Sequence, residues 1–252
     1  MKLLIISLCL ITLGIQAHDI PTLPELLEKN YQASKPLTET HSYITRTVNF
    51  VPKSPPFYID KIYKSGGKIK ISTRLQDGTT TAILAFNGKT AWSQDINGQT
   101  NILDKSEAQK LRFIAAASNP NGKLSDYFEK IDLAEKTEIV GSDVCFKLNC
   151  ITFSQYNQMP TTYYISTKDF LIRRTYMISL QQGSALSINS FYLNYKNFNG
   201  LILPEETRTD TPQSPVVSRI ISVQINPELR DQEFDPPTQA NLTSGKNFIQ
   251  EP

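Results

Sequence analysis

Between Thr40 and Leu103 the sequence is cut into short segments by turn residues, and this punctuation constrains the fold more than any other feature. The cuts fall at Pro52-Lys53-Ser54-Pro55-Pro56, Gly66-Gly67, Asp77-Gly78, Asn87-Gly88 and Asn97-Gly98. Asn-Gly and Asp-Gly favour tight hairpins because their residues tolerate positive φ. Segments joined this tightly must run antiparallel. The spacing predicts strands at His41–Val51, Phe57–Lys64, Lys68–Leu75, Thr79–Asn87, Thr90–Gln94 and Thr100–Leu103. Strands resume later at Thr137–Val140, Val144–Phe153, Thr161–Ser166, Phe170–Leu180, Ala185–Tyr195, Leu201–Thr207 and Pro215–Ile225.

Three short helices interrupt them. Pro24–Ser34 places Leu23, Leu26, Leu27 and Tyr31 on one side. Asp104-Lys105-Ser106-Glu107 reads as a capping box that opens a helix with Leu111, Ile114 and Ala115 as its apolar stripe. Lys123–Asp132 carries Leu124, Tyr127, Phe128 and Ile131 at helical spacing. A sheet of about a dozen strands does not stay flat; it curls or closes. Lys68-Ile69-Lys70-Ile71-Ser72 alternates and needs one wet face, whereas 81–86 and 170–176 are apolar on both faces. A curled sheet with helices over its concave side accounts for both patterns. Such a wrap either fills its interior with side chains or encloses an apolar cavity.

The N-terminus reads as an export signal. Met1-Lys2 precedes an apolar run, Leu3 to Ile15, and Ala17 supplies the small residue at a cut after position 17. The run is shorter than the roughly 20 residues of a membrane-spanning helix. Residues 18–238 form the expected single domain, and 239–252 a disordered tail. Cys9 lies inside the signal, with no small residue before it, in a poor context for lipid attachment. Cys145 and Cys150 are five residues apart on one strand, hence on opposite faces and roughly 16 Å apart. A disulfide needs about 4.4–6.8 Å between Cα atoms, so they are expected as buried free thiols unless the segment bends.

Chemistry-bearing motifs are scarce. The formal charge is +2, with basic and acidic residues interspersed, which excludes the basic stripe of a nucleic-acid binder. Asn87-Gly88-Lys89-Thr90 ends like a phosphate-binding loop, but Ile83 stands where that loop needs Gly, and strands flank it. No Gly-x-Ser-x-Gly elbow and no histidine pair at metal-ligand spacing occurs. Asn241-Leu242-Thr243 fits a glycosylation sequon within the expected tail. His41 with a neighbouring carboxylate is the best that an enzyme reading could offer. Asp60, Asp77, Asp95, Asp126, Asp169, Glu205 and Glu206 mostly sit at turns or strand ends. The expectation is a non-enzyme without cofactor or metal.

One constellation stands out: Ala85-Phe86-Asn87-Gly88-Lys89-Thr90-Ala91-Trp92, a hairpin with the sole Trp just after its turn. Here the chain resembles the LolA-like periplasmic lipoprotein carriers and lipoprotein-sorting proteins. The resemblance includes the export signal, the first helix and the long strand at His41–Val51. It continues through the hairpin Asn87–Trp92, the helical insertion 104–132, the strand Val140–Leu148, Gly200-Leu201-Ile202-Leu203-Pro204, and Phe234-Asp235-Pro236-Pro237. Lys64-Ser65-Gly66-Gly67-Lys68 stands where the classical carriers have an Arg-Pro pair.

The resemblance implies a half-open β-barrel, lidded by helices, whose apolar cavity receives acyl chains in the periplasm. The partners it implies are the acyl chains of a lipoprotein or another lipid, and inner- or outer-membrane proteins. The lining expected on this basis is Ile69, Ile71, Leu84, Phe86, Trp92, Phe146 and Leu148 from strands, and Leu111, Ile114 and Phe128 from helices. An envelope sensor or protein-interaction module on the same fold is the alternative.

Overall fold

A computed structural model of the chain describes residues 20–156, 159–181 and 184–237. The expected export segment with Cys9, His18, and the expected tail with Asn241 lie outside the described residues. Two α-helices and fourteen strands form among the described residues: α1 (Leu23–Ser34), β1 (Ser42–Phe50), β2 (Phe57–Lys64), β3 (Lys68–Arg74), β4 (Thr80–Phe86), β5 (Ala91–Asp95), β6 (Thr100–Ile102), α2 (Lys105–Ala117), β7 (Phe128–Leu133), β8 (Glu138–Val140), β9 (Asp143–Thr152), β10 (Pro160–Ser166), β11 (Ile172–Gln181), β12 (Ser184–Phe198), β13 (Leu201–Asp210) and β14 (Val216–Ile225).

All strands join one antiparallel sheet in the order β6-β5-β4-β3-β2-β1-β14-β13-β12-β11-β10-β9-β7, with β8 also on β9. The chain therefore starts near the middle of the sheet, at β1, and meanders outward to β6. It then crosses over through α2 to the far edge and meanders back until β14 pairs with β1. The sheet is open and curled; its end strands β6 and β7 are not joined.

Turn chemistry fixes the hairpins. At β4–β5, Asn87 Oδ1 accepts hydrogen bonds from the backbone N–H groups of Lys89 (2.9 Å) and Thr90 (2.7 Å). Gly88 follows at φ +95°, where a Cβ would be strained and would also come within 3.3 Å of the Gly66 carbonyl. The caps of α2 form only in part as expected. Asp104 accepts from the Glu107 amide at 2.9 Å, but the Glu107 carboxylate pairs with Lys110 at 2.6 Å.

The third expected helix, Lys123–Asp132, does not exist. Only Leu124–Asp126 forms a single 3₁₀ turn, whose Asp126 carboxylate accepts from the Lys123 amide at 2.8 Å, and Phe128–Leu133 is strand β7. Ile131 lies opposite Cys150 and Leu133 opposite Leu148. Phe128, Ile131 and Leu133 gain backbone pairing and burial against β9 together, which a lone short helix could not offer.

Both helices lie on one face of the sheet, here the inner face. Beneath α1 and part of α2 is a core of Leu26, Phe113, Tyr127, Phe128, Phe146, Leu148, Cys150, Tyr156, Met159, Tyr163 and Ile165. Ile69, Phe86, Ala91, Leu111 and Ala115 form a second core under α2. Leu26, fully buried, anchors α1; burying such a side chain contributes about 1.5–3 kcal/mol. Asn30 adds a hydrogen bond from Nδ2 to the Phe170 carbonyl at 2.7 Å.

The outer face has its own clusters. Val140, Cys145 and Tyr164 pack there with Phe191, so Cys145 and Cys150 occupy opposite faces, both free and buried. Burial pushes their thiols up to about 11 and about 12. Asp60 is buried between Arg46, which donates to it from Nε and Nη2 at 2.6 and 2.8 Å, and Arg74 at 3.3 Å. Finally, residues 229–235 cross the outer face as a strap. Phe234, fully buried, accepts a hydrogen bond at its carbonyl from Trp92 Nε1 (2.8 Å), and Asp231 pairs with Lys64 and Lys68 at 2.7 and 2.6 Å.

Candidate binding cavity

Near the middle of the inner face the cores stop short and leave a cavity of about 310 Å³. Helix α1 bounds it with Asn30 and Ser34, the loop after α2 with residues between Ala117 and Leu124, and strands β1, β2, β10, β11, β12 and β13 form its walls. Its volume lies at the lower end of the roughly 300–1,000 Å³ of small-ligand pockets.

Tyrosines dominate the wall: Tyr43, Tyr127, Tyr163, Tyr192 and Tyr195, with Leu124, Ile172, Leu201, Ile202 and Leu203 between them. Strand alternation alone would put Tyr192 and Tyr195, three residues apart, on opposite faces. Asn194 lies between them in the left-handed region at φ 53°, which breaks the alternation and lets both rings face the cavity.

Three of the five phenols are tied to the wall. Tyr43 donates to the Ser118 carbonyl at 2.9 Å, Tyr195 donates to the Ile172 carbonyl at 2.7 Å, and Tyr192 shares a 3.1 Å hydrogen bond with Thr175. The Tyr43 contact holds the 117–124 loop down onto the sheet. Gly122 lets that loop close: a Cβ there would fall 1.6 Å from the Tyr127 hydroxyl.

Burial pushes the phenols of Tyr127, Tyr163, Tyr192 and Tyr195 upward, so each stays protonated at neutral pH. Behind Tyr43, Tyr63 stacks at 5.3 Å between ring centroids and is pushed up to about 12. Among the described residues, the one charged group of the wall is Lys61, whose Nζ lies 5.3 Å from the centre of the Tyr43 ring, and no carboxylate lines it.

None of the ten residues expected to line a cavity lines this one. Ile69, Phe86 and Leu111 meet in the packed core under α2, with Ile71 at its edge. Phe128, Phe146 and Leu148 meet in the larger core, and Phe128 comes from a strand rather than a helix. Leu84 and Ile114 are each 40 % exposed.

Trp92 is a correction. The turn pairs Phe86 with Ala91 and Ala85 with Trp92. Four residues separate that first pair, so Trp92 shares the outer face with Ala85 instead of the inner face with Phe86. It is buried, donates from Nε1 to the Phe234 carbonyl, and is not in the wall of this cavity.

His41 is exposed, its Nε2 3.5 Å from Glu39 Oε1, and it does not line the cavity. Among the described residues, no group of three His, Cys, Asp or Glu is placed to hold a metal ion. No described helix is long and apolar enough to cross a membrane. The cavity offers aromatic surface, phenol donors and one cation. That equipment suits holding a ligand.

No protein-family profile matches the sequence, and no curated protein matches it. Solved structures do. A LolA superfamily protein of Nitrosomonas europaea superposes with a TM-score of 0.58 at 15% identity, covering 86% of this chain and 98% of that one. A DUF1329 family protein of Desulfovibrio piger gives 0.58 at 13%, covering 84% and 95%. A domain from Vibrio parahaemolyticus assigned to outer membrane lipoprotein sorting gives 0.57 at 11%, also covering 84% and 95%. The chain shares the fold of LolA superfamily and lipoprotein-sorting proteins.

Proposed function

We propose that this protein is a periplasmic carrier that binds a lipid or acylated ligand without chemical conversion. The supporting observation is the tyrosine- and leucine-lined cavity of about 310 Å³ beneath α1 and the 117–124 loop. In this reading the N-terminal segment is an export signal cut after Ala17, and residues 18–238 act as one half-barrel domain in the envelope.

An acyl chain gains about 0.8 kcal/mol per buried methylene. Aromatic walls supply that shelter, and displacement of α1 or α2 would enlarge it. If α2 lifts, Ile69, Ile71, Leu84, Phe86, Leu111 and Ile114 extend the apolar bed; if α1 lifts, Phe128, Phe146 and Leu148 do so. A membrane or membrane protein that favours the lifted state then takes up or delivers the ligand. The test is mass spectrometry of lipid extracted from protein isolated from its own envelope. A stoichiometric acyl-bearing species is expected, and protein that is empty in repeated preparations contradicts the reading.

A second reading, a protein-interaction module, draws on the sheet's two open edges at β6 and β7 and on Ile96 and Ile139, which are 57% and 77% exposed. Unpaired edges can accept a partner strand. A stable protein partner retained together with lipid-free protein would favour it.

A further inference from the structure

We infer that the ligand is an amphiphile with an anionic oxyacid headgroup, received by Lys61 and the free phenols of Tyr127 and Tyr163. The inference rests on the carrier reading and adds the class of headgroup to it.

Lys61 is the first observation. It projects from β2 on the same face as Tyr63, and its cross-strand neighbours are Thr45 on β1 and Ile71 on β3. Every other described residue of the cavity wall is neutral, from α1, the 117–124 loop and β10 to β13 alike. Its ammonium has no carboxylate partner among the described residues and rests only against the Tyr43 ring. By contrast, Lys64 and Lys68, one turn of alternation away on the outer face, both pair with Asp231. A cation left without a counter-charge in a partly enclosed, aromatic site is where an anionic ligand gains most.

The phenols are the second, independent observation. Tyr43, Tyr192 and Tyr195 spend their hydroxyls on the protein. Those of Tyr127 and Tyr163 form no hydrogen bond with another described residue, although both residues are buried and line the cavity. Neither oxygen is among the sealed, unpaired polar atoms of the described residues, so each has open space beside it for an acceptor. An O–H can serve an acceptor, and a carboxylate or phosphate oxygen is the strongest kind. Burial raises the pKa of both groups, so both remain donors at neutral pH. One cation and two unused donors around one cavity describe a receptor for negatively charged oxygens, with the leucine-rich wall of β13 left for the chain.

The test compares laurate, dodecyl phosphate and lauryl alcohol, which share one chain and differ in the head. Each is titrated into the full chain and into Lys61→Met and Tyr127→Phe/Tyr163→Phe variants whose folding is checked by circular dichroism. At least one anion is expected to bind the native protein about tenfold or more tighter than the alcohol. Lys61→Met should erase that preference by weakening the anions far more than the alcohol, and the double Phe variant should reduce it. Whichever anion binds tighter identifies the carboxylate or the phosphate as the natural head. Equal binding of all three by the native protein overturns the headgroup inference and leaves the carrier reading standing. So does a preference that Lys61→Met does not alter. Failure of all three to bind overturns both. Should Lys61→Met not fold, the preference of the native protein, and its loss with added salt, decides the matter.

Discussion

Replacing Phe234 by Ala separates the two faces of the sheet experimentally. Phe234 is fully buried, and its carbonyl accepts a hydrogen bond from Nε1 of Trp92, which is itself 1% exposed. Removing a buried Phe side chain costs about 3–5 kcal/mol where the surroundings cannot close the gap. The strap's remaining holds are the hydrogen bond from Trp92 Nε1 to the backbone carbonyl of residue 234 (2.8 Å), the Asp231 pairs with Lys64 and Lys68, the hydrogen bond from Asn87 to Asp235 (2.7 Å) and that from Lys64 to the Leu229 carbonyl (2.7 Å). Exposed ion pairs contribute about 0–1 kcal/mol each, so these cannot keep the strap docked alone. The expected result is local undocking with the sheet intact. Trp92 is the only Trp in the chain, so its emission should shift to the red while the far-ultraviolet circular dichroism stays native. Urea unfolding should show a loss of about 3 kcal/mol or more. An unshifted emission maximum with a loss under about 1 kcal/mol would refute the strap as described.

Acid should weaken the Asp231 end of the same strap. Hydrogen bonds from Lys64 and Lys68 lower Asp231 to about 2. A carboxylate depressed on folding stabilises above its unfolded pKa, near 4, and loses that contribution as pH falls through the folded value. The urea midpoint should therefore be constant above about pH 5 and fall between pH 4 and 2 while Trp92 emission stays unshifted, and Asp231→Asn should reduce that fall. Gly122→Ala forces a methyl against the Tyr127 hydroxyl; overpacking of this kind costs about 1–3 kcal/mol, measurable by thermal unfolding, with weakened ligand binding because the loop is part of the wall. Cys145 and Cys150, buried and raised to about 11 and 12, should resist thiol reagents at neutral pH and react fully in denaturant; rapid labelling of the native protein would contradict their placement.

Most of the fold was legible because it rests on local rules. Turn dipeptides and alternation located the thirteen expected strands to within a few residues, and the five-residue spacing of the two cysteines put them on opposite faces. Two errors have distinct physical origins. Leu124, Tyr127, Phe128 and Ile131 satisfy a helical period, but Phe128, Ile131 and Leu133 also suit a strand, and pairing with β9, invisible locally, decided the outcome. Trp92 was misplaced because the facing of a hairpin residue depends on the number of residues in the turn.

The cavity was harder to read. Its walls come from α1, the loop after α2 and six strands far apart in sequence, so no motif could announce it. The expected apolar residues instead found one another and packed. What remained to line the space were tyrosines, whose hydroxyls need partners, and Lys61. Asn194 was the available signal, since an Asn inside a strand marks a position where left-handed backbone can break the alternation.

Photo-crosslinking with a laurate analogue carrying a diazirine on its chain tests the central claim most directly. Mass-spectrometric mapping should place the crosslinks on Tyr127, Tyr163, Tyr192 and the Leu201–Pro204 segment, which line the cavity, with competition by unlabelled laurate. Crosslinks spread over the outer face around Phe191 and Ile221, or none that laurate displaces, would contradict a ligand held beneath the helices.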